Sequence, residues 1–169
     1  MEHIIFQNNK LTLNGSKSPL LIRVIIFLTS FLFFLLPIYG VTLNLFHGNG
    51  ITFFSLIIIA VFFTLGYYLL RISLWNTFGK EIIWIGHEKI IYEADYGWFK
   101  SDKKEIYLEN LDYLIKPCEF EKKDMGVLIL ESDKSKIECV VQVPIIELET
   151  LLINLRNTTP PLIEPNLIF

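Results

Sequence analysis

The histidines and cysteines, the side chains most used to ligate transition metals, are few and scattered: His3, His47, His87, Cys118 and Cys139. A metal site takes three or four such ligands on one ion, usually with pairs only a few residues apart. Here the nearest two, Cys118 and Cys139, are 21 residues apart and have no C-x-x-C context; in a cytoplasmic domain they would be reduced thiols. Cys139 fits most simply as a core residue. The chain has no G-x-S-x-G, no H-E-x-x-H and no phosphate-binding glycine loop. Carboxylates such as Glu131 and Asp133 fall among turn residues. The expectation is therefore no catalytic residue, no cofactor and no metal, and a protein that works through surfaces.

The elements that carry those surfaces begin with a run free of charge. Residues 24–70 hold no Asp, Glu, Lys or Arg, although charged residues make up 20% of the chain. Within it lie two apolar segments, residues 20–39 and 51–70, each about the 20 residues a helix needs to cross ~30 Å of hydrocarbon. Residues 40–50 read as the loop between them, with Gly48, Asn49 and Gly50 as turn chemistry. Pro37 falls near the end of the first span, where a missing amide matters least. A cleaved signal peptide is the competing reading of the first segment, but its apolar part is too long and Ile38 and Gly40 make a poor cleavage site. Lys10, Lys17 and Arg23 precede the hairpin, Arg71 and Lys80 follow it, and the loop offers only His47. The positive-inside rule then puts both termini in the cytoplasm of a multi-pass inner-membrane protein. His47 would lie across the bilayer from the other histidines, and the spans carry no Asp or Glu for a proton relay or intramembrane proteolysis.

From residue 71 onward the chain has 12 Lys and Arg against 17 Asp and Glu, a formal charge of −5. Nucleic acid and anionic phosphoinositides both demand clustered positive charge, so neither is an expected partner. Segments 80–86 and 89–95 read as a hairpin, and 105–108, 111–116, 126–132 and 136–143 as further strands. In the last, Ile137, Cys139, Val141 and Val143 share a face. Pro144 then opens a helix whose Leu148, Leu151, Leu152 and Leu155 form one stripe, with Glu147 and Glu149 in its first turn and Arg156 in its last. Before the first span, residues 3–7 and 10–14 around Asn8 and Asn9 suggest another hairpin that adds to this sheet. The fold class is α+β: a two-helix transmembrane hairpin plus an antiparallel barrel or sheet of about six strands capped by a C-terminal helix. The expected divisions are a strand pair at 1–18, the hairpin at 19–72, the β domain at 73–158 and a proline-containing tail at 159–169.

The run Trp75, Asn76, Phe78, Gly79, Lys80, Glu81, Ile82, Ile83 directly after the second span, with the strand pattern of 89–114 and the N-terminal strand pair, resembles bacterial membrane-anchored pleckstrin-homology-like proteins of unknown function. The resemblance covers nearly the whole chain. It implies architecture, a PH-like domain behind a helical hairpin, and supplies no catalytic residues.

Two segments stand out as candidate sites. Trp75, Asn76, Phe78, Gly79 and Lys80 read as a membrane-exit elbow, with Trp75 at the headgroups and Gly79 as a left-handed cap; Asn76 and Lys80 would also suit a ligand. Tyr96, Trp98, Phe99 and Lys100, around Gly97, read either as a plug finishing the core or as a loop touching membrane or partner. The apolar tail would lie extended on the domain or enter a partner groove. The function expected is a non-catalytic module that binds or scaffolds a protein at the inner membrane, with homo-oligomers allowed. A lipid-sensing or small-molecule-sensing subunit is the rival. So is an assembly factor for a membrane complex, similar in layout to the photosystem I assembly protein.

Overall fold

The structure is a computed structural model that describes residues 3–48, 50–118 and 124–158. Asn49 and the tail from residue 159 lie outside the described residues. The chain divides into two compact units. One comprises the residues up to 16, Lys80–Asp95 and those from 100 on; the other is Lys17–Gly79 together with Tyr96–Phe99.

The second unit is a helical hairpin. Helix α1 spans Leu20–Phe46 and α2 spans Phe53–Phe78, both with mean hydropathy above 2, and most of their apolar side chains are exposed. Both are long and apolar enough to cross a membrane. At 27 residues α1 is about 40 Å long. It overruns the expected span, because Val41, Leu43, Leu45 and Phe46 continue the apolar pattern beyond Gly40. Pro37 consequently sits inside the helix rather than near its end, a place that apolar helices in lipid tolerate when local adjustments satisfy the freed carbonyl. Thr52 caps α2, its Oγ1 accepting from the Ser55 amide at 3.3 Å.

The two helices are fastened at Ser30 and Gly66. Ser30 Oγ donates to the Gly66 carbonyl at 2.9 Å in a buried contact. A Cβ on Gly66 would stand 3.1 Å from the Phe34 ring. Around this point Phe33 pairs with Phe62, and Phe34 with Phe63, both at 5.4 Å. A small residue facing a hydroxyl is how apolar helices pack closely without a hydrophobic drive between them.

The other unit contains two antiparallel sheets and one helix. Strands β1 (Ile4–Gln7), β2 (Lys10–Asn14), β3 (Lys80–Ile85), β4 (Lys89–Asp95) and β5 (Lys100–Tyr107) form a meander in chain order. Asn8 and Asn9, at φ 49° and 58°, make the two-residue turn between β1 and β2. The N-terminal hairpin does join the sheet, with Leu11 opposite Ile83. The second sheet holds β6 (Asp112–Pro117), β7 (Met125–Ser132) and β8 (Ser135–Glu138), with the short β9 (Val143–Pro144) also on β7. Helix α3 (Ile145–Thr158) contacts β6, β7 and β9. Leu11, Leu13, Ile83, Ile90 and Ile106 of the first sheet, Leu128, Leu130 and Ile137 of the second, and Leu148, Leu151 and Leu155 of α3 are buried.

The α+β class holds, but of the expected barrel or sheet of about six strands the described residues show two antiparallel sheets, nine strands with the N-terminal pair included, and no closed barrel. With the N-terminal pair the expected strands number eight; the ninth, β9, arises where the expected strand 136–143 breaks in two, and the bounds of β5 also differ. β5 begins five residues earlier than expected because charged Lys100, Asp102, Lys103 and Lys104 suit an edge strand despite breaking the apolar alternation. The expected strand 136–143 stops at Glu138, for a reason given below.

The close approach at Gly66 carries a prediction. Gly66→Leu should loosen the hairpin by about 1–3 kcal/mol through overpacking against Phe34, and Ser30→Ala by about 1 kcal/mol. Unfolding of the purified protein in increasing dodecyl sulfate, followed by circular dichroism, measures both.

Candidate functional site

The two segments singled out in the sequence come together in the helical unit. Residues 96–99 are the tip of the β4–β5 hairpin, closed by the Tyr96 amide donating to the Phe99 carbonyl at 2.9 Å. Gly97 takes φ +85°, which a two-residue turn with glycine first requires. A Cβ there would also meet Phe78 Cβ at 2.7 Å. Tyr96 is buried, stacked on Phe99 at 4.9 Å and tilted against Trp75 at 5.1 Å. Arg71 Nε donates to the Tyr96 hydroxyl at 2.9 Å while its guanidinium lies 4.9 Å from the ring centroid. Trp98 points the other way: it is 61% exposed and sets its edge against Phe27 of α1 at 6.1 Å.

The elbow is built differently from its expected form. Gly79 is not left-handed; its φ of −54° and ψ of 128° are extended. Glycine is needed for space instead, since a Cβ would collide with the Trp75 carbonyl oxygen and come within 2.7 Å of the indole. The Gly79 amide still closes the helix by donating to that carbonyl at 2.8 Å. Asn76 accepts from Ser18 Oγ at 3.1 Å. In the β unit, Lys80 pairs with Asp95 and Lys100 with Glu93, both at 3.5 Å. These are surface pairs of little energetic weight.

A third cluster went unmarked in the sequence. Glu81, on β3, is fully buried at 0% exposure. Its carboxylate accepts from the Tyr92 hydroxyl at 2.6 Å, the Val140 amide at 2.7 Å and the Val141 amide at 3.1 Å. Tyr92 is a cross-strand neighbour on β4, whereas Val140 and Val141 lie between β8 and β9, on the second sheet's path. One side chain therefore ties the two sheets. It also explains why the strand ends here: the Cys139 amide still donates to the Leu128 carbonyl at 2.9 Å, but the next amide on that side, Val141, donates to Glu81 instead. The buried alternation persists regardless, with Ile137, Cys139, Val141 and Val143 all inside.

Burial pushes the Glu81 carboxyl above the usual carboxylate range, with Tyr92 and the two amides pulling it part of the way back. Burial, followed by the Glu81 charge, likewise raises Tyr92 and holds Cys139 as a protonated thiol. Glu81, Tyr92, Cys139 and Val141 are all buried, while Val140 lies at the surface. The register could have revealed it, since Glu81 pairs with Leu13 and Ala94 and shares their inward face. Among the described residues no three His, Cys, Asp or Glu side chains gather to hold a metal ion.

No family model matches the chain, and neither a curated protein nor a solved structure matches it.

Two predictions follow from Glu81. Glu81→Ala should destabilise the full chain in detergent by about 3 kcal/mol or more, because it strands three donors. Tyr92→Phe should then cost less in that background than alone, since one stranded donor disappears; thermal melting of the four proteins tests this. A folded carboxyl held above its unfolded value of 4.5 favours the fold most below that value, and the advantage is lost as pH rises through the folded pKa. Relative to Glu81→Gln, the wild type should thus gain stability on acidification from pH 8 to about 5, read as the difference between the two melting curves.

Proposed function

We propose that the chain is a two-span inner-membrane protein that holds a non-catalytic PH-like unit on the cytoplasmic face, where the unit binds or scaffolds a protein partner. The observation that carries the reading is the pairing of β2 with β3, Lys10 through Asn14 against Lys80 through Trp84. The strands just before α1 and just after α2 belong to one sheet, so if the helices span, both ends of the hairpin emerge on one side. The distribution of Lys10, Lys17, Arg23, Arg71 and Lys80 makes that side the cytoplasm. Five strands followed by four and then a helix is an order in keeping with a PH-like unit.

The partner surface we favour is a groove of roughly 350 Å³ between β1 and α3, lined by Ile4, Phe6, Ile146, Glu147, Thr150, Leu151 and Asn154. β1 is an edge of its sheet, and an extended segment can add to such an edge while placing apolar side chains in the groove. Ile146 is 77% exposed, and Ile153 lies two turns farther along the same face. The −5 charge beyond residue 70 disfavours an anionic lipid as the occupant.

Topology is testable with His47→Cys and Asp133→Cys in a Cys118→Ser background: an impermeant thiol reagent applied to intact cells should label only position 47. Labelling at 133 would reverse the orientation. For the groove, a photo-crosslinker at Phe6 should capture one protein stoichiometrically in mild detergent, and Ile146→Asp should abolish capture at unchanged melting temperature. Lipid adducts alone would refute the protein-partner reading.

A further inference from the structure

We propose that Trp98 is a third membrane anchor, a side chain seated at the boundary between headgroups and acyl chains beside the two helices. The inference rests on the reading of α1 and α2 as spans, and concerns what the β4–β5 tip does in addition. Three observations place the ring. Its neighbour Phe27 stands one helical turn beyond Arg23, the last charge before the charge-free run. The tip's other attachment, Tyr96, is held by Arg71, the first charge after that run. The tip is thus fixed on both helices at the level where charge gives way to hydrocarbon, which is the depth at which an indole, apolar in body and polar at one edge, is most at home.

The third observation is the division of labour within the tip. Tyr96 and Phe99 turn inward and stack, whereas Trp98 remains 61% exposed. Phe27 in turn packs on Phe31 at 4.9 Å, so the exposed indole continues an aromatic patch along α1. A membrane covers that patch on α1 and, by continuity, covers Trp98. Glycine at position 97 makes the outward turn possible. The occupant is the lipid interface itself, and no specific headgroup is required.

The test uses the full chain in phosphatidylcholine vesicles, with Trp75→Phe and Trp84→Phe leaving Trp98 as the sole indole. Its fluorescence should be quenched at least about twofold more by lipids brominated near the top of the acyl chain than by lipids brominated near its end. Aqueous iodide should quench it weakly. Trp98→Cys in a Cys118→Ser background, labelled with an environment-sensitive fluorophore, gives an independent reading in the same vesicles. Strong iodide quenching without bromine quenching overturns the proposal, and so does an indole shielded from both, which would mean a protein covers it. Alkaline carbonate extraction separates the two levels: a chain that stays in the pellet with a water-exposed Trp98 leaves the spans standing and removes only the third anchor. A chain released by carbonate removes both.

Discussion

A carboxylate without water around it must find donors, and in this protein the requirement organises the β unit. Glu81 collects a phenol from the neighbouring strand and two consecutive amides from the far sheet. The Val141 amide would otherwise be buried without a partner, since the strand it would extend has already ended. The arrangement solves two problems at once: the charge is satisfied and an irregular stretch of backbone is fixed. It also decides where the second sheet stops pairing and where the chain turns toward α3. The apolar core of Leu11, Ile83, Leu128, Leu130 and Leu148 adds most of the burial. Burial is not directional, so what holds one sheet in register against the other is the hydrogen-bonded carboxylate.

The helical unit follows the opposite economy. Its threonines bond back to their own helix, as Thr29, Thr42, Thr64 and Thr77 do, so the fit between its elements rests on closeness: Ser30 on the Gly66 carbonyl, Gly66 under the Phe34 ring, Gly79 against Trp75 and Gly97 against Phe78. In each of the last three pairs a glycine accepts a large aromatic neighbour. Only Gly97 among them owes its identity to backbone conformation as well as to space.

What the sequence revealed, and what it hid, divides along the same line. Periodicity found the helices, most strands and the inward face of Ile137, Cys139, Val141 and Val143, because burial writes itself as spacing. The ladder's end at Glu138 was hidden, since it depends on a carboxylate 57 residues earlier in the chain. Counting strands from apolar alternation missed the charged first half of β5 and suggested a barrel where two sheets form. Gly79 was legible as a necessary glycine but not for the right reason, because its constraint is the Trp75 ring rather than φ. The elbow and the aromatic tip were both visible as unusual clusters. That they meet was not, since nothing in residues 96–99 names Arg71 or Phe27 as a neighbour.

The pairing of β2 with β3 has a consequence for how the chain is made. The first two strands leave the ribosome well before the third, separated from it by the whole apolar hairpin. Until β3 arrives, Leu11 and Leu13 have only β1 beside them, and a lone pair of strands is marginal in water. Synthesis therefore imposes an order: the apolar helices must be disposed of before the sheet can close, and the early strands must wait without aggregating. The two-residue turn at Asn8 and Asn9 lets β1 and β2 pair with each other during that wait, before either has the rest of the sheet beside it.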